Sequence, residues 1–119
     1  MMRFRLVLPI MATCSLLLLG GCVTSTSYDA TAEAMGHSPE LLADRIADCT
    51  KRTAATPGGL NELRQEAKLP VGTSDATVAE TVCRRSMTAI AKGRMTYDDL
   101  SSAFNGTPKP IVYKVIQGR

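Results

Sequence analysis

The sequence predicts a small all-α domain of three to four helices with one interhelical disulfide. Three observations carry that prediction. Apolar residues recur at helical spacing in two long segments, 38–56 and 75–92. Start and stop residues bracket those segments and two shorter ones. Only one stretch, 111–116, has the β-branched and aromatic composition of a strand, and no second stretch is suited to pair with it.

The first helix starts at Ser38. Its hydroxyl can cap, Pro39 suits the first helical position, and Glu40 complements the positive end of the helix dipole. Leu42, Ile46, Cys49 and Thr53 follow at i, i+4, i+7 and i+11 and share one face. Asp44, Asp48 and Lys51 lie opposite, and Thr56-Pro57-Gly58-Gly59 ends the helix. A short second helix covers 60–68, with Leu60, Leu63 and Ala67 on one side and Pro70 and Gly72 beyond its end. The third is capped by Ser74 or Asp75. Val78, Ala79, Val82, Cys83, Ser86 and Ile90 form its apolar stripe, and Gly93 closes it. Thr77, Thr81, Arg84, Thr88 and Lys92 take the other side. In the fourth, Thr96 caps and Asp99 stands three residues later, a capping box with Asp in place of Glu. Met95 and Leu100 have the spacing of a hydrophobic staple, Phe104 continues the apolar face, and Asn105-Gly106 stops it.

Two segments fall outside this helical pattern. Residues 111–116 read as extended. They either drape over the helices to cover a thin core or present Ile111, Val112, Tyr113, Val115 and Ile116 as an edge to a partner strand. Residues 23–37 (VTSTSYDATAEAMGH) are polar, small and aperiodic, and read as a flexible tether with at most a frayed turn near Ala30–Met35.

The beginning of the chain has a different character. Arg3 and Arg5 precede an apolar stretch of 14 residues, Leu6–Leu19. That is too short to cross a bilayer, which takes about 20 residues, and it fits the apolar part of an export signal. Leu19-Gly20-Gly21-Cys22 then resembles the lipobox of bacterial lipoproteins. In that family the peptide is cut before the cysteine, whose thiol carries a diacylglyceryl group; the new amino group is often acylated as well. The resemblance covers residues 1–22 only. It implies a signal peptide at 1–21, a palmitate-type lipid anchor on Cys22, a tether to residue 37 and a domain at 38–119. It also implies a location in the cell envelope. Val23 rather than Asp follows the cysteine, which by the family's sorting rule implies the outer membrane facing the periplasm. Other readings of the leader are an uncleaved membrane anchor or an ordinary cleavage site, although no A-x-A-like run follows the apolar core.

Removing the leader changes the composition. Arg3 and Arg5 leave with it, so 12 basic residues face 11 acidic ones and the net charge falls from +3 to +1. So balanced a domain is not expected to bind nucleic acid. From residue 22 onward Leu, Ile, Val and Phe number 17 of 98, and there is no Trp. A core this thin needs a staple or a partner. With Cys14 removed and Cys22 acylated, Cys49 and Cys83 remain, each on or beside the inward face of its helix. In an oxidising compartment the simplest expectation is a bridge between them; two buried thiols or an intermolecular bridge are the alternatives.

Candidate functional residues are few. Arg84, Arg85, Lys92 and Arg94 form either a solvated helix face or a contact for anionic headgroups or cell-wall polymer. Asp98-Asp99 reads as first-turn acid that favours the dipole rather than as a metal site. His37 is the single histidine and reads as a surface residue; no cofactor, metal or catalytic motif is expected. The expected role is therefore non-enzymatic: a structural or binding protein held by acyl chains to the membrane, with an envelope protein or cell-wall polymer as partner. The alternative is a small regulator that uses the tail to occlude an envelope enzyme or secretion component.

Overall fold

A computed structural model describes residues 24–119; the leader, Cys14 and Cys22 lie outside the described residues. Among the described residues six helices follow one another: α1 (Ser25–His37), α2 (Pro39–Ala54), α3 (Asn61–Glu66), α4 (Asp75–Ala91), α5 (Tyr97–Phe104) and α6 (Pro110–Ile116). Among the described residues there is no strand. Four of these helices, α2 to α5, are the four that the sequence pattern predicts. The all-α class and the interhelical disulfide both hold.

Of the flexible tether expected at 22–37, residues 25–37 are instead helix α1. Thr24 and Ser27 form a reciprocal capping box, Thr24 Oγ1 accepting from the Ser27 N–H (3.2 Å) and Ser27 Oγ from the Thr24 N–H (3.0 Å). Tyr28, Ala32 and Met35 then fall at i, i+4 and i+7 and turn inward; Tyr28 and Met35 are buried. The Tyr28 hydroxyl donates to the Met95 carbonyl at 2.5 Å, and its ring meets Tyr97 edge-on at 5.8 Å. Burial, assisted by the nearby Asp99 and Asp29 charges, pushes the Tyr28 phenol up to about 12. A single residue, Ser38, separates α1 from α2. It sits in the extended region before Pro39, where proline disfavours helix, and its Oγ accepts from the Leu41 N–H at 3.1 Å.

The central pair is α2 and α4, which make the most extensive helix contact in the molecule. They run antiparallel. Leu41 and Leu42, at the start of α2, pack on the cluster containing Ala89 and Ile90 at the end of α4, whereas Cys49 near the end of α2 is bonded to Cys83 further back in α4. The core divides into two clusters along α4. Tyr28, Met35, Ala89, Ile90, Met95, Val112 and Val115 fill the C-terminal end, and Leu60, Ala67, Val78, Ala79, Val82 and Ile116 fill the N-terminal end. α2 itself has no fully buried residue; its inward face is half-exposed.

α1 approaches α4 closely through Gly36. A Cβ built there would lie 2.9 Å from the Ala91 carbonyl oxygen, a contact with backbone that neither helix can relieve by turning a side chain. Gly36→Ala would gain about 0.5–1 kcal/mol of helix propensity but meet an overpacking cost of about 1–3 kcal/mol. A net loss of stability is expected, read as a lower urea midpoint; a rise in the midpoint would contradict the close approach.

The extended tail expected at 111–116 is also corrected: it is helix α6. Pro110 occupies the first turn, and Val112, Val115 and Ile116 fall at i, i+3 and i+4 and are buried. Strand preference of β-branched residues depends on a neighbouring strand, which this chain does not supply among the described residues. Burial against α4 and α5 decides the outcome instead. The helix ends with the paired bonds of a Schellman closure, Gly118 N–H to Val115 O (3.0 Å) and Arg119 N–H to Lys114 O (2.7 Å).

Candidate functional site

Cys22, the predicted acylation site, lies outside the described residues, but its point of attachment does not. Thr24 is the cap of α1, so the chain joins the folded body at the first turn of that helix. That turn, Ser25-Thr26-Ser27, holds no acidic residue and is rich in hydroxyls.

Cys49 and Cys83 are brought together as the sequence reading expected. They form a disulfide with a Cα–Cα distance of 5.8 Å, within the usual range. Cys83 is buried and Cys49 half-exposed. Thr53, one turn beyond Cys49, places its hydroxyl 3.4 Å from the Cys83 sulfur and 3.9 Å from that of Cys49. Both cysteines are thereby committed to structure.

The basic residues grouped by sequence do not act as one group. Arg84 pairs with Glu80 one turn earlier on the surface. Arg85 is half-buried, donates from Nη1 to the Ile116 carbonyl at 2.7 Å, and packs its guanidinium against Gly118. Arg94 donates to the Arg119 backbone oxygen at 2.7 Å. Two of the four, Arg85 and Arg94, therefore fasten the end of the chain after α6; Arg84, Lys92 and Arg94 are exposed, and Arg85 is half-buried. The candidate partner strand is likewise consumed. Val112, Val115 and Ile116 are buried, Ile111 and Tyr113 are half-buried, and their helical backbone has no edge to present.

Asp98 and Asp99 occupy the first turn of α5. Asp99 Oδ2 accepts from the Thr96 N–H at 2.9 Å, and Thr96 Oγ1 accepts from the Asp99 N–H at 3.2 Å. The Thr96 amide, then its hydroxyl and the Lys109 ammonium, hold the Asp99 carboxyl below the ordinary aspartate value. The same end of α5 is tied to α6: Ser102 Oγ donates to the Asp99 carbonyl (2.5 Å) and accepts from the Lys109 N–H (3.0 Å). Among the described residues no group of three or more His, Cys, Asp or Glu is placed to hold a metal ion.

Sequence reasoning missed Arg64. Its Nε donates to the Thr73 carbonyl (2.8 Å) and its Nη2 to Asp75 (2.6 Å), which fastens the loop between α3 and α4. A lone arginine in a six-residue helix gives no sequence signal of that role. His37 is exposed, as expected, at the mouth of an open groove of about 390 Å³ between the ends of α1 and α4, beside Glu33, Gly36, Lys92 and Gly93. Among the described residues the large apolar side chains left exposed are Val71, in the turn before α4, and Phe104, at the end of α5.

Compared with models of protein families, with curated proteins and with solved structures, the chain matches none.

Proposed function

We propose that the chain is a lipid-anchored protein of the bacterial cell envelope with a non-catalytic structural or binding role. The observation that carries this reading is Leu19-Gly20-Gly21-Cys22 placed directly after a positively charged leader with an apolar stretch of 14 residues. The Cys49–Cys83 bridge supports it, because disulfides persist outside the reducing cytosol. With those two paired and Cys14 removed, Cys22 is the one thiol left for acylation. Each buried CH₂ of an acyl chain contributes about 0.8 kcal/mol, so two or three chains hold a domain of this size stably on a membrane. Val23 directs the reading toward the outer membrane, with the domain facing the periplasm and an envelope protein or cell-wall polymer as partner. The alternative, a small regulator that occludes an envelope enzyme or secretion component, would need a surface other than the tail, because α6 buries Val112, Val115 and Ile116.

Expression in a bacterial host with a palmitate analogue and intact-mass measurement tests the proposal. The mature chain should begin at Cys22 and carry diacylglyceryl mass. Cys22→Ala should abolish label incorporation and leave the leader attached. A wild-type chain that retains Met1 and carries no acyl mass would refute the anchor.

A further inference from the structure

We infer that the bilayer headgroups meet one defined pole of the domain, built from the first turn of α1 and the 95–98 segment. The α3–α4 turn then points away from the membrane. The inference rests on the lipid-anchor reading and concerns how the anchored body is held.

The first reason is the length of the connection. With α1 capped at Thr24, only Val23 stands between Cys22 and the folded body. Two residue steps reach at most ~7 Å, whereas a flexible 15-residue tether would span about 20 Å on average. The domain therefore cannot drift away from the surface that holds the acyl chains.

Second, the start of α1 is fixed to one end of the molecule. Tyr28, one turn into the helix, donates to the Met95 carbonyl and packs against Tyr97. The attachment point and residues 95–98 consequently share a pole. The turn Thr24–Ser27 is exposed or half-exposed and carries hydroxyls without charge, which suits hydrogen bonding to phosphate and glycerol oxygens; the exposed charge of the 95–98 segment is Asp98.

Third, α4 separates the two ends. Its 17 residues span about 25 Å. α1 packs near its C-terminal end, through Gly36 on Ala91, while the turn containing Val71 precedes its N-terminal end. Val71, fully exposed, is thus carried outward.

The full-length lipoprotein, purified from membranes and reconstituted into phosphatidylethanolamine–phosphatidylglycerol vesicles, provides the test. A fluorophore is attached at Asp98→Cys or at Val71→Cys, both at exposed positions, and quenched by a lipid bearing a headgroup nitroxide. Quenching should be several-fold stronger at position 98 than at position 71. Inserting a long Gly/Ser linker between Val23 and Thr24 should largely abolish that difference. Equal quenching without the linker, or stronger quenching at 71, in protein that floats with the vesicles overturns the orientation and leaves the anchor intact. Wild-type protein that does not float with the vesicles overturns both.

Discussion

Replacing both bridge cysteines, Cys49→Ala with Cys83→Ala, is expected to lower the unfolding free energy by about 3–4 kcal/mol, the value the chain-entropy model gives for closing a loop of this length. A domain of this size has a net stability of about 5–15 kcal/mol, so the loss is a large share of it. Its distribution is more telling than its size. α4 keeps five other buried side chains, Val78, Ala79, Val82, Ala89 and Ile90, without the bridge. α2 has none fully buried, so the bridge is the strongest single tie between that helix and the core. Hydrogen exchange in the double variant should therefore rise earlier and further in 39–54 than in 75–91. Chemical denaturation gives the total and exchange gives the partition. A loss below about 1 kcal/mol, with α2 protection unchanged, would show that packing alone holds α2 and that the staple argument is wrong.

The parts of the fold that were legible in the sequence are those whose signal is local. Ser38, Ser74 and Thr96 announce helix starts because a capping hydroxyl acts within three residues, and each one accepts from the amide three positions on. The stripes of α2 and α4 are long enough for their period to be seen. The bridge followed from two thiols placed on inward faces. α1 was hidden because its inward face is only Tyr28, Ala32 and Met35 in a run of hydroxyls and small residues; the spacing was present, but the hydrophobic signal was weak. α6 was misread for the opposite reason. Its local composition is strongly β-branched, and only the absence of a pairing strand and the presence of α4 beneath it decide for helix.

The thin core has the same explanation. A count of Leu, Ile, Val and Phe misses Tyr28, Met35, Ala67, Ala79, Cys83, Ala89 and Met95, half of the buried apolar residues. Small side chains bury little area each, but they let helices approach closely, as Gly36 does over Ala91. The candidate surface was legible only as a set of residue types. Arg85 next to Arg84 looks like half of a basic pair; that it instead donates to the Ile116 carbonyl depends on where α6 folds, information that lies 31 residues away.

The other large effect is expected at Tyr28, which joins α1 to the rest of the molecule. Tyr28→Phe keeps the ring but leaves the Met95 carbonyl without its donor, and should cost about 1–2 kcal/mol. Tyr28→Ala removes the ring as well and should cost about 3–5 kcal/mol. The hydroxyl also gives stability a pH dependence of definite sign. In the unfolded chain the phenol releases its proton near the ordinary value of 10, whereas in the folded protein it is retained up to about 12. Between those values the unfolded state binds fewer protons, so stability falls as pH rises. The contribution is complete below pH 10, is lost progressively between 10 and 12, and changes no further above. A two-unit shift corresponds to roughly 2–3 kcal/mol. Urea midpoints measured from pH 9 to 11.5 should decline more steeply for wild type than for Tyr28→Phe. A spectrophotometric titration should show one of the three tyrosines ionising near 12. Parallel declines in the two proteins, with no phenol ionising near 12, would mean that Tyr28 is open to water and α1 is not docked. The orientation proposed for the domain would then lose its basis, because the connection between Cys22 and the folded body is short only while α1 is part of the fold.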